Sequence, residues 1–108
     1  MPFAVFLTND AARDLDELYD YIAVNVAPQK AGHVWDQIER AFSRLSEYPE
    51  RGAHPKELLA LGIREYREIF FKPYRIIYRL MDKNVYVLLI ADGRRDMQTL
   101  LQRRFLCG

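Results

Sequence analysis

The stretch that decides the fold runs Tyr74-Arg75-Ile76-Ile77-Tyr78-Arg79-Leu80-Met81, Asp82-Lys83-Asn84, Val85-Tyr86-Val87-Leu88-Leu89-Ile90-Ala91-Asp92-Gly93. A period of two sets Tyr74, Ile76, Tyr78 and Leu80 on one face of a strand and Arg75, Ile77, Arg79 and Met81 on the other. Asp82-Lys83-Asn84 is a tight turn. The next run, Val85 to Ala91, is apolar on both faces, so it is a central strand covered on both sides. Two arginines inside an aliphatic strand cost burial energy unless a partner or water meets them. Arg75 and Arg79 are therefore expected to face a partner.

Upstream, Ile63 to Phe71 mixes apolar and charged positions as another strand, and Lys72-Pro73 is a turn. Residues 49–62, with Pro49, Gly52, Pro55 and Gly62, form the one long connection. Before it the period changes to 3.6. Ala31, Val34, Trp35, Ile38, Ala41, Phe42, Leu45 and Tyr48 make one helical stripe, and Ala11, Leu15, Leu18, Tyr19, Ile22 and Val26 make another. Pro28 separates the two helices. Thr8, Asn9 and Asp10 offer N-caps for the first. Phe3 to Leu7 reads as a buried strand, and Met97, Leu100, Leu101 and Phe105 fit a short last helix. The order is β-α-α-β-β-β-α. It predicts one α+β domain over residues 1–108, with a small, largely antiparallel sheet and a two-helix hairpin on one face.

Composition narrows the function. The chain has 108 residues, half of them apolar, which excludes a disordered chain. Its apolar runs are too short to span a membrane. Asp10, Asp14 and Asp16 arrive too early for a signal peptide, so a cytoplasmic protein is expected. Cys107 has no second cysteine to pair with, and two histidines are too few for a metal site; no cofactor is expected. Residues 1–50 carry 4 basic and 9 acidic side chains, and residues 51–108 carry 12 and 6. A basic second half suits an anionic partner. No basic run with interleaved aromatics suggests direct, sequence-specific nucleic-acid binding, so a nucleic-acid module ranks third among the readings.

The helical hairpin, the run Tyr74-Arg75-Ile76-Ile77-Tyr78-Arg79 and the ending Gly93-Arg94-Arg95-Asp96 together resemble the RelE/ParE superfamily of bacterial toxins, on its ParE branch. The resemblance covers Phe3 to about Leu106. It implies the toxin of a type II toxin–antitoxin pair, held in check by a cognate antitoxin. ParE proteins inhibit DNA gyrase, whereas RelE relatives cut messenger RNA on the ribosome. An RNA-cutting site needs a base, an acid and cations about the phosphate. Lys72, Arg75, Arg79 and Arg94 would supply cations, with Lys72, Arg79 and Arg94 the catalytic candidates of that alternative. Residues 87–108 contain no Tyr, His, Lys or Glu, which disfavours it.

A binding toxin needs less. Arg75, Ile77, Arg79, Met81 and Leu100 are expected to form a basic-rimmed apolar groove for the acidic, partly hydrophobic tail of an antitoxin. By the resemblance, the C-terminal segment would meet gyrase through Arg94, Arg95, Arg103, Arg104 and Phe105. An open sheet edge leaves room for a homodimer, or for a heterotetramer with the antitoxin. Plainer roles are also open. Arg103 and Arg104 suit a solvated helix end. Asp14, Asp16, Glu17 and Asp20 read as a solvated helix face, Trp35 and Phe42 as core, and His33 and His54 as surface or loop residues.

Overall fold

The computed structural model describes residues 2–106, so Cys107 lies outside the described residues. The chain forms β1 (Ala4–Leu7), α1 (Asn9–Asn25), α2 (Pro28–Glu47), α3 (Lys56–Leu59), β2 (Tyr66–Phe71), β3 (Tyr74–Met81), β4 (Asn84–Asp92) and α4 (Met97–Phe105). The α+β architecture is the one the periodicity predicts. The short helix α3 was not foreseen; it sits inside the connection read as irregular.

The four strands lie in the order β1-β4-β3-β2. β2, β3 and β4 run antiparallel, whereas β1 pairs parallel with β4 from Ala4↔Asn84 to Leu7↔Val87. β4 is thus central, as its two apolar faces require. Ile77 faces Leu89 while Tyr78 faces Val87, so Leu88 is an extra residue with no β3 partner, and the strand is bulged there. In the β3–β4 turn Asp82 takes φ 57°, a left-handed conformation that Asp tolerates better than most residues.

Two cores flank the sheet. On one face the α1–α2 hairpin buries Leu15, Ile22, Val34, Ile38 and Leu45 against Ile76, Tyr78, Val85 and Val87. On the other, α3 and α4 bury Leu58, Met97 and Leu101 against Ile77, Leu89 and Ala91. Each such aliphatic side chain contributes roughly 1.5–3 kcal/mol on leaving water. Trp35 and Phe42 pack at the margin of the first core, partly buried.

Thr8 caps α1 by accepting from the Ala11 N–H, and Asp96 caps α4 by accepting from the Thr99 N–H. Tyr78 pins the long connection: its hydroxyl accepts from Gly52 N–H at 3.0 Å and donates to the Pro49 carbonyl at 2.7 Å. The α1 stripe is shorter than its sequence suggests. Val26 stands 65% exposed at the C-cap of α1.

Candidate interaction site

Beside α3, on the sheet face that α3 and α4 cover, lies an ion-pair triad. Arg75 directs its fork at Glu57 of α3 through two hydrogen bonds of 2.8 Å, and its Nε donates to Glu68 of β2 at 2.7 Å. All three side chains are largely buried. The Arg75 hydrogen bonds hold the Glu57 carboxyl below its ordinary value, while burial pushes Glu68 up despite the same partner. Arg75 itself is held more firmly protonated by the two carboxylates. Arg75 also lies 5.9 Å from the Phe70 ring.

This geometry corrects the expected groove. Arg75 is 7% exposed and already satisfied by two carboxylates, so it does not form a rim for a partner. Ile77 is wholly buried beneath the chain's own C-terminal helix, and Leu100 packs at the edge of the same core. α4 occupies the place assigned to an antitoxin. Of that set, Arg79 and Met81 remain accessible. Arg79 is partly buried with its guanidinium 5.8 Å from the Tyr66 ring, and Met81 is 46% exposed at the strand end.

The second set divides likewise. Arg95 and Arg103 are exposed, with no ion-pair partner among the described residues. Arg94 is exposed but held by Asp92 of β4, its guanidinium NH2 at 2.6 Å from the carboxylate. That pairing lowers the Asp92 carboxyl below its ordinary value. Phe105 stacks on Tyr66 with ring centroids 4.6 Å apart. Arg104 does not point outward as a free helix-end cation. It reaches Asp14 on α1 at 2.9 and 3.0 Å and also donates to the Leu88 carbonyl at 2.8 Å.

Asp14 is a second correction. It is not part of a solvated face: the same carboxylate accepts from the Ile90 N–H at 3.0 Å, and its side chain is 15% exposed. Its place at three and four residues from Ala11 and Leu18 puts it on the buried stripe, and that spacing was the available signal.

Two concavities flank these contacts. A cleft of about 490 Å³ is lined by Lys56, Lys72 and Arg94, with His54, Glu68 and Arg75. Lys72 and Arg94 belong to the RNA-cutting alternative; Arg79 does not line the cleft. The His54 Nδ1–H donates to the Tyr66 carbonyl at 3.0 Å. Lys56 and His54 come from the long connection, where sequence periodicity gave no reason to place them. A second groove of about 700 Å³ lies between α1 and the last residues of β4, over Leu18, Ile22, Ile90 and Ala91, with Arg94 and Arg95 at one end. Among the described residues no cluster of three His, Cys, Asp or Glu side chains could hold a metal ion, and no helix is long and apolar enough to cross a membrane.

Residues 5–97 match the family described as the ParE toxin of the type II toxin–antitoxin system parDE. The chain is 30% identical to Toxin ParE3 of Caulobacter vibrioides over 100 residues, covering 93% of this chain and 96% of that protein. Among solved structures, it resembles the chromosomal ParDE system of P. aeruginosa with a TM-score of 0.69 and 26% identity, over 83% of this chain and 95% of that one. It also resembles the RelBE2 toxin–antitoxin complex of Mycobacterium tuberculosis, with a TM-score of 0.59 and 26% identity over 85% and 92%.

Proposed function

This chain belongs to the ParE toxin family of type II toxin–antitoxin systems, and on that footing we propose that it arrests bacterial growth by poisoning DNA gyrase until a cognate antitoxin binds it. The reading is one of binding without catalysis. It places the toxin in the cytoplasm beside its target and requires no cofactor.

The observation that carries it is the division among the arginines. Arg75 and Arg104 are engaged inside the fold, while Arg95 and Arg103 stand in solvent at the two ends of α4. A planar guanidinium pairs carboxylate or phosphate through two parallel hydrogen bonds, so such a pair can grip an anionic surface of an enzyme engaged with DNA. Phe105 and Leu100 act here by seating α4 on the sheet, and Arg94 adds charge next to Arg95. Harm comes from holding gyrase at its DNA-cleaved stage.

The RNA-cutting alternative keeps one observation in its favour, the cation-lined cleft with His54 at its edge. Against it, Glu68 is committed to Arg75, and the RNA-cleaving chemistry needs an acid and a base besides the cations. The deciding experiment is plasmid supercoiling by purified gyrase with this protein, run beside ribosome-programmed RNA cleavage. Lost supercoiling with accumulating cleaved DNA and intact RNA supports the gyrase reading. Cut RNA with normal supercoiling overturns it and points to Lys72, Arg94 and His54.

A further inference from the structure

β1 stops at Leu7, and the Thr8 N–H makes the last contact to β4 at the Val87 carbonyl, 3.0 Å. Beyond it, on the β1 side, the edge of β4 from Leu88 to Asp92 has no neighbouring strand among the described residues. Side chains cover its first half: Arg104 takes the Leu88 carbonyl and Asp14 takes the Ile90 N–H. Backbone groups of one strand residue point to the same side and alternate along the strand. The Ile90 carbonyl and the Asp92 N–H therefore turn the same way as the Ile90 N–H, into the 700 Å³ groove beside α1. An uncovered strand edge is a template for pairing with another chain.

The groove is built for more than backbone. Tyr21 and Val26 on its α1 wall are 64% and 65% exposed, large apolar surface at the rim of an apolar floor. Its lining carries Asp14, Glu17, Asp92, Arg94 and Arg95. Asp14 is held by Arg104 and Asp92 by Arg94, so among the described residues Arg95 is the cation left without an ion-pair partner at the Asp92 end, and Glu17 the carboxylate left so on α1. A segment that fits must be extended, apolar on one face, and acidic where it passes Arg95.

We infer that this groove seats an extended, acidic-apolar segment of the antitoxin as an added strand on β4, pairing with Ile90 and Asp92 and covering Tyr21 and Val26. The inference rests on the toxin–antitoxin reading and names the docking place, which is not the face covered by α4. Because Arg95 borders the groove, a seated antitoxin also covers one of the two arginines assigned to gyrase. Neutralisation then follows from occupancy and does not require α4 to be removed.

The test measures binding of the purified full-length cognate antitoxin to the unaltered chain and to Tyr21→Ala/Val26→Asn, Arg95→Glu and Val24→Asn. Val24 is 82% exposed near the end of α1 and does not line the groove. Each variant is first shown to melt as the unaltered chain does. The first two are expected to lose affinity by about 30-fold or more, and Val24→Asn to keep it. Amide exchange at Asp92 is expected to slow by about tenfold or more in the complex. Groove variants that bind normally, while Arg79→Glu or Met81→Glu does not, overturn this inference and leave the toxin–antitoxin reading intact. An antitoxin that fails to bind even the unaltered chain overturns both.

Discussion

Asp14 of α1 and Arg104 of α4 grip each other through two hydrogen bonds, of 2.9 and 3.0 Å, although 90 residues of chain separate them. Each also holds a backbone group of β4, Asp14 the Ile90 N–H and Arg104 the Leu88 carbonyl. The pair thus ties both helical layers to the sheet at the point where β1 runs out.

Removing one member leaves a partly buried charge and a strand group unpaired. Asp14→Ala or Arg104→Ala is expected to cost about 2–4 kcal/mol in urea unfolding. The double variant is expected to lose less than the sum of the two. Strict additivity would mean that the ion pair contributes nothing of its own.

The triad about Arg75 predicts a sharper loss. Arg75→Met strands Glu57 and Glu68 as unpaired carboxylates and is expected to cost about 3–5 kcal/mol. A stability within about 0.5 kcal/mol of the unaltered chain would show that water replaces the guanidinium there.

Acid separates the two carboxylates. Glu57 is held below its ordinary value of 4.5, so its stabilising effect is present above pH 4.5 and is lost as pH falls from there through its folded value. Glu68 is raised above 4.5, so the fold takes up its proton before the unfolded chain does, and this stabilises the fold as pH falls toward 4.5. Urea midpoints as a function of pH are expected to fall less below 4.5 in Glu57→Gln. In Glu68→Gln they are expected to lose the opposing rise above 4.5.

Gly52 sits where no side chain fits. A Cβ there would come within 2.6 Å of both the Glu68 carbonyl and the Tyr78 hydroxyl. Gly52→Ala is expected to destabilise by about 1–3 kcal/mol, and Tyr78→Phe by a similar amount through its two lost hydrogen bonds. Thermal melts of the two variants and their combination check this, and the combination is expected to fall short of the sum.

The exposed arginines make the functional prediction. Arg95→Ala/Arg103→Ala is expected to reduce gyrase inhibition by about tenfold or more, since charge-assisted contacts contribute about 1.5–3 kcal/mol each. Its melting is expected to stay within about 0.5 kcal/mol of the unaltered chain. Undiminished inhibition by the folded double variant would remove these arginines from the gyrase surface.

Much of the fold was legible because its signals are local. The hairpin stripes, the Asp82-Lys83 turn and the doubly apolar β4 follow from short-range periodicity, and β4 is indeed central. The arginines were not legible in the same way. Arg75 and Arg103 have the same chemistry in sequence, but one meets Glu57 and Glu68 while the other meets solvent. That difference depends on which segments the topology brings together, here α3 and β2 across β3. The parallel partner of β4 was equally hidden, since no turn marks it. Asp14 could have been found, because its spacing sets it on the buried stripe of α1.

Among the described residues β1 pairs only with β4, so the first strand of the sheet waits for the last. At about 5–20 residues per second, the interval between Ala4 and Asn84 is about 4–16 s. During it the nascent chain can form its helical hairpin but not its sheet, and α4 has no surface to lie on. Long-range closure of this kind also slows folding after release. The sheet, and with it the seat of α4, is therefore completed only once Asn84–Asp92 has emerged, and everything made before that point must wait unpaired or in its helical hairpin.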